Sequence, residues 1–324
     1  MTAPHPATAA PSGGSGRRVL VITHTGRVAG VDVAREITKR LTEAGIAVSM
    51  LAAESAVIGD PAAFAVPDGA DPAAGCEIAV AVGGDGTILR AAELTRPSGT
   101  PVLGINLGHV GFLAEAERAD LEATVQAVST RSCVVEERLT IDVAVVLDGD
   151  VTARGWALNE ASVEKAARER MLEVVVEIDG RPLSRWGCDG VVFATPTGST
   201  AYAFSAGGPV VWPQVDALLL VPLSAHALFA RPLVTAPTSR LAVEVLRGTE
   251  GGGVLWCDGR RMLDLRPGAR IEVTRSDRPV RLARLRSAPF TDRLVAKFDL
   301  PTSGWRGAAE RRRDAWREIR PDDA

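Results

Sequence analysis

The sequence predicts two domains: an N-terminal α/β domain built on a parallel sheet, then a mostly β C-terminal domain. Three observations carry this. Up to about residue 137, short apolar runs alternate with segments of helical periodicity. From 138 onward, runs of alternating polarity are broken by Asp-Gly and similar turns, with little helix signal between them. One apolar run, 77–82, stops at Gly83-Gly84-Asp85-Gly86-Thr87 and continues as a helix-like pattern. A chain of 324 residues has the length for two domains.

The elements follow in order. Residues 1–16 are rich in Pro, Ala, Ser and Gly, lack the basic-then-apolar order of a signal peptide, and read as a disordered tail. The α/β domain is expected over 17–137. "RVLVIT" (18–23) reads as a buried strand, and "VDVAREITKRLTEAG" (31–45) as a helix through Val33, Ile37 and Leu41 that Gly45 stops. "IAVSML" (46–51) is the second strand, and 53–75, rich in Ala, Pro, Asp and Gly, reads as a loop. "EIAVAV" (77–82) enters the glycine turn, "TILRAAELT" is a helix, and "PVLGIN" (101–106) a fourth strand. Such alternation favours a parallel sheet covered on both faces. "RLTIDVAVVLDGD", "LEVVVEIDGRPL", "RLAVEVLRG" and "RIEVTRSD" supply β segments of the second domain, expected over 138–287. No fixed-period repeat suggests a solenoid. The 309–324 end is a highly charged tail whose arginines read as a solvated face.

Composition excludes several classes. A net charge of -3 signals no basic face for nucleic acid. No apolar run approaches the ~20 residues that cross a bilayer. Cys76, Cys133, Cys188 and Cys257 are far apart and form no Cys-x-x-Cys pair, which points to reduced thiols of a cytoplasmic protein, read as small buried hydrophobes.

Three stretches carry chemistry. In the first, residues 83–87, Gly83, Gly84 and Gly86 leave backbone N–H groups open to a ligand beyond the end of a strand. Neither a Walker A loop nor Gly-x-Gly-x-x-Gly fits. The glycines and Thr87 form a phosphate-donor turn, and Asp85 in their midst can take a hydroxyl proton beside a phosphoryl donor, as a kinase requires. The bland alternative is an Asp that shapes a turn. In the second, "DGVVFATPTGSTAYAFSAGGP" (189–209), hydroxyls, glycines and the chain's one tyrosine, Tyr202, suit a planar, polar ligand. A Ser/Gly-rich surface loop is the alternative there. In the third, "WALNEASVEKAARER" (156–170), Asn159 and Glu160 could meet a base or ribose, or serve as an ordinary turn or cap.

In this order, the three stretches resemble the NAD kinase family. Gly-Gly-Asp-Gly-Thr alone is shared with diacylglycerol and sphingosine lipid kinases, and a near variant with phosphofructokinases. Its combination with Leu158-Asn159-Glu160 and Thr195-Pro-Thr-Gly-Ser-Thr-Ala-Tyr202 is far more specific, and "VPLSAHALFARPLV" (221–234) and "WCDGR" (256–260) also resemble family segments. The likeness runs from about 18 to 308, closest to actinobacterial members. It implies an NAD kinase-like two-domain fold with the NAD site between the domains, a late segment (288–308) returning to the first domain, and phosphoryl transfer to the 2′-hydroxyl of the adenosine ribose of NAD. It further implies ATP with Mg2+, or inorganic polyphosphate, as donor and a homodimer or homotetramer. By the same resemblance, Asp85 is the general base with Gly86 beside it in the NAD site, Arg90 lies near the nucleotide and Phe112 near the adenine. Asn159 and Glu160 contact the nucleoside, Arg170 stands where relatives can carry His, and Asp189, Thr200, Ala201, Tyr202 and Ser205 wall the nucleobases and ribose. Two departures stand out: Gly187 where some bacterial relatives have Arg, and Arg260 where some have Gln; Arg170 or Arg185 are candidates to supply the missing charge. The rival readings are a lipid kinase, which should present an apolar entrance, and a non-enzymatic NAD(P)-sensing module, which would not need Asp85.

Overall fold

A computed structural model describes residues 16–302, except 109–110, 118–119, 168, 250 and 286–288. The expected tails, apart from Gly16, and the stretch 303–308 lie outside the described residues. The strands of the first half are β1 (Arg18–Thr23), β2 (Ala47–Leu51), β3 (Ala63–Val66), β4 (Ile78–Val82), β5 (Val102–Asn106), β6 (Ala116–Glu117) and β7 (Val134–Arg138). Twelve strands follow: β8 (Ile141–Leu147), β9 (Asp150–Ala157), β10 (Glu160–Lys165), β11 (Leu172–Ile178), β12 (Arg181–Cys188), β13 (Gly190–Ala194), β14 (Leu218–Leu223), β15 (Leu233–Thr235), β16 (Leu241–Val245), β17 (Gly253–Cys257), β18 (Arg261–Leu265) and β19 (Arg270–Arg275). Then comes β20 (Val280–Arg284). The helices are α1 (Val28–Glu43), α2 (Ala52–Ile58), α3 (Asp85–Thr95), α4 (Leu121–Thr130), α5 (Tyr202–Ser205) and α6 (Phe290–Phe298).

The first sheet runs β3-β2-β1-β4-β5-β20-β7, with β6 paired to β5. Its central strands are parallel and buried on both faces, which is why β4 and β5 read as unbroken apolar runs. One face packs Val19, Val21, Val80 and Ile105 against Val33, Ile37 and Leu41 of α1. The other packs Leu20, Ile22 and Ala81 against Ile88, Leu89 and Ala92 of α3.

Two differences from the sequence reading concern this domain. Residues 53–75 are not all loop: all of α2 but its first residue and the whole of β3 lie within them, and β3 adds an edge strand to β2 in parallel register. Helix α2 has seven residues and β3 four, too short to show a period above an Ala-rich background. The return to the first sheet also begins before 288. Strand β20 inserts between β5 and β7, pairing antiparallel with β7 over five residues, although it falls inside the span read as the β domain.

The second domain is a sandwich of two six-stranded sheets, β15-β14-β13-β10-β17-β18 and β12-β11-β16-β19-β8-β9. Alternation puts Ile141, Val143 and Val145 of β8 inward, where they meet Val174, Val176, Val191, Phe193 and the fully buried Trp186.

Candidate active site

The strand order places a topological switch between β1 and β4. Chain leaving β1 turns toward α1 on one side of the sheet, and chain leaving β4 turns into α3 on the other. Ligands of open α/β sheets bind in the crevice such a switch creates. A cleft of about 230 Å³ lies there, lined by His24, Arg27 and Gly30 after β1, by Gly83, Gly84, Gly86, Thr87 and Arg90 after β4, and by Leu107 and Arg260. Three guanidinium groups, two helix N-termini and a glycine turn converge on it, a combination suited to phosphate. Gly83 has φ +152°, and a Cβ there would come within 2.3 Å of Thr87 Oγ1, so only glycine lets the turn close over the helix. Arg90, one turn into α3, is held by Glu54 at 2.6 Å and donates to the Thr23 carbonyl. Sequence reasoning missed His24 and Arg27; a basic pair just beyond the first strand was the available signal.

Asp85 opens α3 and is half-buried. Its carboxylate turns toward the 111–113 segment, where Oδ2 accepts the Phe112 N–H at 3.1 Å and Oδ1 the Leu113 N–H at 3.2 Å. That segment is itself fastened. Arg284 of β20, 2 % exposed, donates to the Leu113 carbonyl at 3.0 Å, and Arg293 of α6 donates to those of Ala114 and Phe112. Both arginines pair with Glu115. Burial pushes the Arg284 guanidinium down to about 10. The late strand and helix therefore fix the loop that fixes Asp85. The Phe112 ring packs on Phe290 and Phe298 of α6, and Phe298 on Phe204 of α5, which draws the hydroxyl-rich stretch toward the same loop.

Asn159 ends the tight two-residue link from β9 to β10 and Glu160 opens β10, and both are buried. Leu158 before them packs with Ile88, Leu89 and Leu113, so the link lies against α3 and the 113 segment. Thr195 ties to it twice, by its N–H to the Asn159 carbonyl at 2.9 Å and by its hydroxyl to Leu158 O at 2.6 Å. Gly198 comes so close that a Cβ would lie 1.9 Å from Asn159 O. The two stretches that sequence keeps about 40 residues apart thus form one surface. Glu160 has its carboxyl pushed up to about 8, by burial first and by the Asp258 carboxylate second, against a Tyr202 N–H that favours its ionised form. Its Oε2 has no hydrogen-bond partner among the described residues.

The remaining expected residues are dispersed around this surface. Thr200 and Ala201 are half-buried at the turn into α5, and Tyr202 and Ser205 are exposed on α5. Asp189, between β12 and β13, pairs with Lys165 at 2.6 Å, and that hydrogen bond holds its carboxyl below the usual range. Arg170 is exposed in the turn before β11. Arg185 is engaged by Glu173, and Gly187 sits where a Cβ would press on the Met171 methyl group. Arg260 bonds Glu93 of α3 at 3.1 Å and reaches the β1–β4 cleft.

A switch-point cleft suited to phosphates, with a carboxylate fixed beside it and the Asn159 link packed on the 195–201 turn next to that, defines a class: nucleotide phosphotransferases. Residues 19–133 match the model of the ATP-NAD kinase N-terminal domain, and residues 158–285 that of the ATP-NAD kinase C-terminal domain. The chain is 63 % identical over 305 residues to the NAD kinase of Thermobifida fusca, covering 91 % of this chain and 93 % of that one. It is 60 % identical over 294 residues to NAD kinase 2 of Streptomyces coelicolor, covering 90 % and 97 %. Among solved structures, an Archaeoglobus fulgidus NAD kinase in complex with ATP superposes with a TM-score of 0.66 at 28 % identity, covering 86 % of this chain and 98 % of that one. Yeast NADH kinase complexed with NADH shares the fold with a TM-score of 0.78 at 23 % identity, covering 89 % of each. The chain belongs to the NAD kinase family.

Proposed function

We propose that the chain phosphorylates the 2′-hydroxyl of the adenosine ribose of NAD to give NADP, with the donor phosphates in the β1–β4 cleft and NAD against Asp85, Asn159, Glu160, Thr200, Ala201, Tyr202 and Ser205. The observation that carries this reading is the placement of Asp85. Its neighbours Gly84, Gly86 and Thr87 line the phosphate cleft, while its carboxylate is anchored on the loop that adjoins the Asn159 link. Each carboxylate oxygen accepts one N–H and keeps lone-pair capacity for a hydroxyl proton. The chain's contribution is positioning and charge: Arg27, Arg90 and Arg260 hold the donor, and Asp85 receives the proton as the hydroxyl attacks. The closely similar relatives that carry the NAD kinase name favour this over lipid phosphorylation or sensing alone.

The donor set fits a Mg2+ that arrives on a triphosphate rather than a protein cage. Among the described residues, no three His, Cys, Asp or Glu side chains cluster to hold a metal, and Asp85 is the one carboxylate within the glycine turn. Such an ion neutralises phosphate charge during transfer. ATP is the donor favoured by the Archaeoglobus likeness, and polyphosphate would suit the same arginines. The exposed Phe204, Trp212, Leu228, Phe229 and Val234, all within 204–234, support self-association as a dimer or tetramer. Four free cysteines, Cys188 and Cys257 buried as expected but Cys76 and Cys133 only partly so, support a reducing, cytoplasmic setting.

The test is NADP formation from NAD, with ATP and polyphosphate compared in parallel, in the wild type and in Asp85→Asn. General-base loss costs roughly 10²–10⁴ in rate. A variant that keeps more than about a tenth of the wild-type kcat removes Asp85 from the mechanism.

A further inference from the structure

The chain makes Asp-Gly turns at 148–149, 179–180 and 258–259, each with both residues at positive φ. At 148–149 and 179–180 this is the two-residue hairpin turn; at 258 the pair begins a three-residue connection with Cys257 opposite Arg261, and at all three Asn adopts the positive φ as readily as Asp. At 148 and 179 the aspartate is exposed. At 258, between β17 and β18, its side chain is 2 % exposed and folds back onto another element. Oδ1 accepts the Asn159 N–H at 2.7 Å and the Leu158 N–H at 3.0 Å, and Oδ2 shares the Leu158 N–H at 3.0 Å. The Asp258 backbone N–H in turn donates to the Glu160 carbonyl at 2.9 Å. The hairpin needs none of these bonds to turn.

The carboxylate is also buttressed. Arg261 donates to Oδ2 at 2.7 Å and pairs with Glu93 of α3 at 3.2 Å. Its guanidinium lies 4.4 Å from the Trp156 ring centroid, with Arg96, the residue that follows α3, at 4.3 Å from the same centroid. Glu93 lies eight residues after Asp85 on the one rigid helix, a little over two turns. A continuous path therefore runs from the backbone N–H groups of the Asn159 link through Asp258, Arg261 and Glu93 to the helix that presents Asp85.

We propose that Asp258 is the positioning residue of the acceptor site: it orients the Asn159–Glu160 link and, through Arg261 and Glu93, fixes that link relative to α3 and Asp85. The inference rests on the reading of that link as the NAD contact. It predicts that loss of the carboxylate disturbs acceptor binding while the donor cleft, built chiefly on β1 and β4 with Arg260 keeping its own bond to Glu93, is left as it was.

Asp258→Asn is the informative change, because Asn-Gly keeps the hairpin turn while its amide replaces one acceptor and confronts Arg261. In the full-length protein with ATP-Mg, the KM for NAD should rise about tenfold or more, with the KM for ATP within about twofold of wild type. Asp258 acting only as a structural brace predicts a smaller active fraction, so a lower apparent kcat at unchanged KM for NAD; that result overturns the proposal. Should Asp258→Asn fail to fold, Arg261→Gln, whose side chain is one-third exposed, decides by the same criterion with a smaller rise. Asn159→Ala separates the two layers of the argument. If it leaves the KM for NAD unchanged, the reading of the acceptor site falls and the inference with it. If it raises that KM while Asp258→Asn does not, the inference alone falls.

Discussion

Glu160→Gln should make the protein's stability less dependent on pH. The Glu160 carboxyl is displaced from an ordinary value of 4.5 to about 8, first by burial and then by Asp258, with Glu164 adding to the same side. Asp258 is raised by burial too, but three backbone N–H groups and Arg261 oppose the shift, so the pair holds its charge on Asp258 and its proton on Glu160. Between pH 4.5 and about 8 the folded chain keeps a proton that the unfolded chain releases. Stability from this group is therefore complete below pH 4.5 and is lost as pH rises through 8. At about 1.4 kcal/mol per unit, the span amounts to on the order of 5 kcal/mol. Gln carries no titrating proton. Relative to wild type, the variant should gain stability steadily from pH 5 to about pH 8 and level off above it, by roughly 8 °C in apparent melting temperature at about 2 °C per kcal/mol. Differential scanning fluorimetry of both proteins across that range is the assay. Melting curves that stay parallel would refute the placement of the proton on Glu160 and the account of its burial.

Two further outcomes follow from the same geometry. Gly111→Ala places a Cβ 2.3 Å from Asp85 Oδ1, so the carboxylate must leave the Phe112 and Leu113 N–H groups; kcat should fall about 10²-fold, as for a misplacement near 1 Å, with the KM for NAD little changed, and a fall below threefold would show that the anchor is dispensable. Tyr202→Ala should raise the KM for NAD while costing less than about 1 kcal/mol of stability, because the ring is 36 % exposed; a loss near 3 kcal/mol in a thermal melt would make it a packing residue instead.

Much of this protein is legible before folding. β1, β4 and β5 are short apolar runs because parallel strands bury both faces, and helical spacing in 31–43 marks the side of α1 that meets them. The glycine turn is legible because close approach and positive φ restrict the residue at 83, and the resemblance to a family rests on Asp85, Asn159, Glu160 and 195–202 standing in order. Those are local demands, and local demands leave local signatures. The assignment of β20 was not legible, since an alternating strand pairs equally well with either domain's sheet until the register with β7 and β5 selects one. Nor were the supports of the site. Arg284 and Arg293 belong to no motif in the sequence, yet they fasten the loop that anchors Asp85, and Asp258 stands in one of several Asp-Gly pairs that look alike until the chain folds. A hydrogen bond spanning 99 residues, as between Asp258 and Asn159, imposes no period or spacing on the sequence; only the antiparallel pairing of β10 with β17, which sets Ala161 opposite Cys257, brings the two residues together.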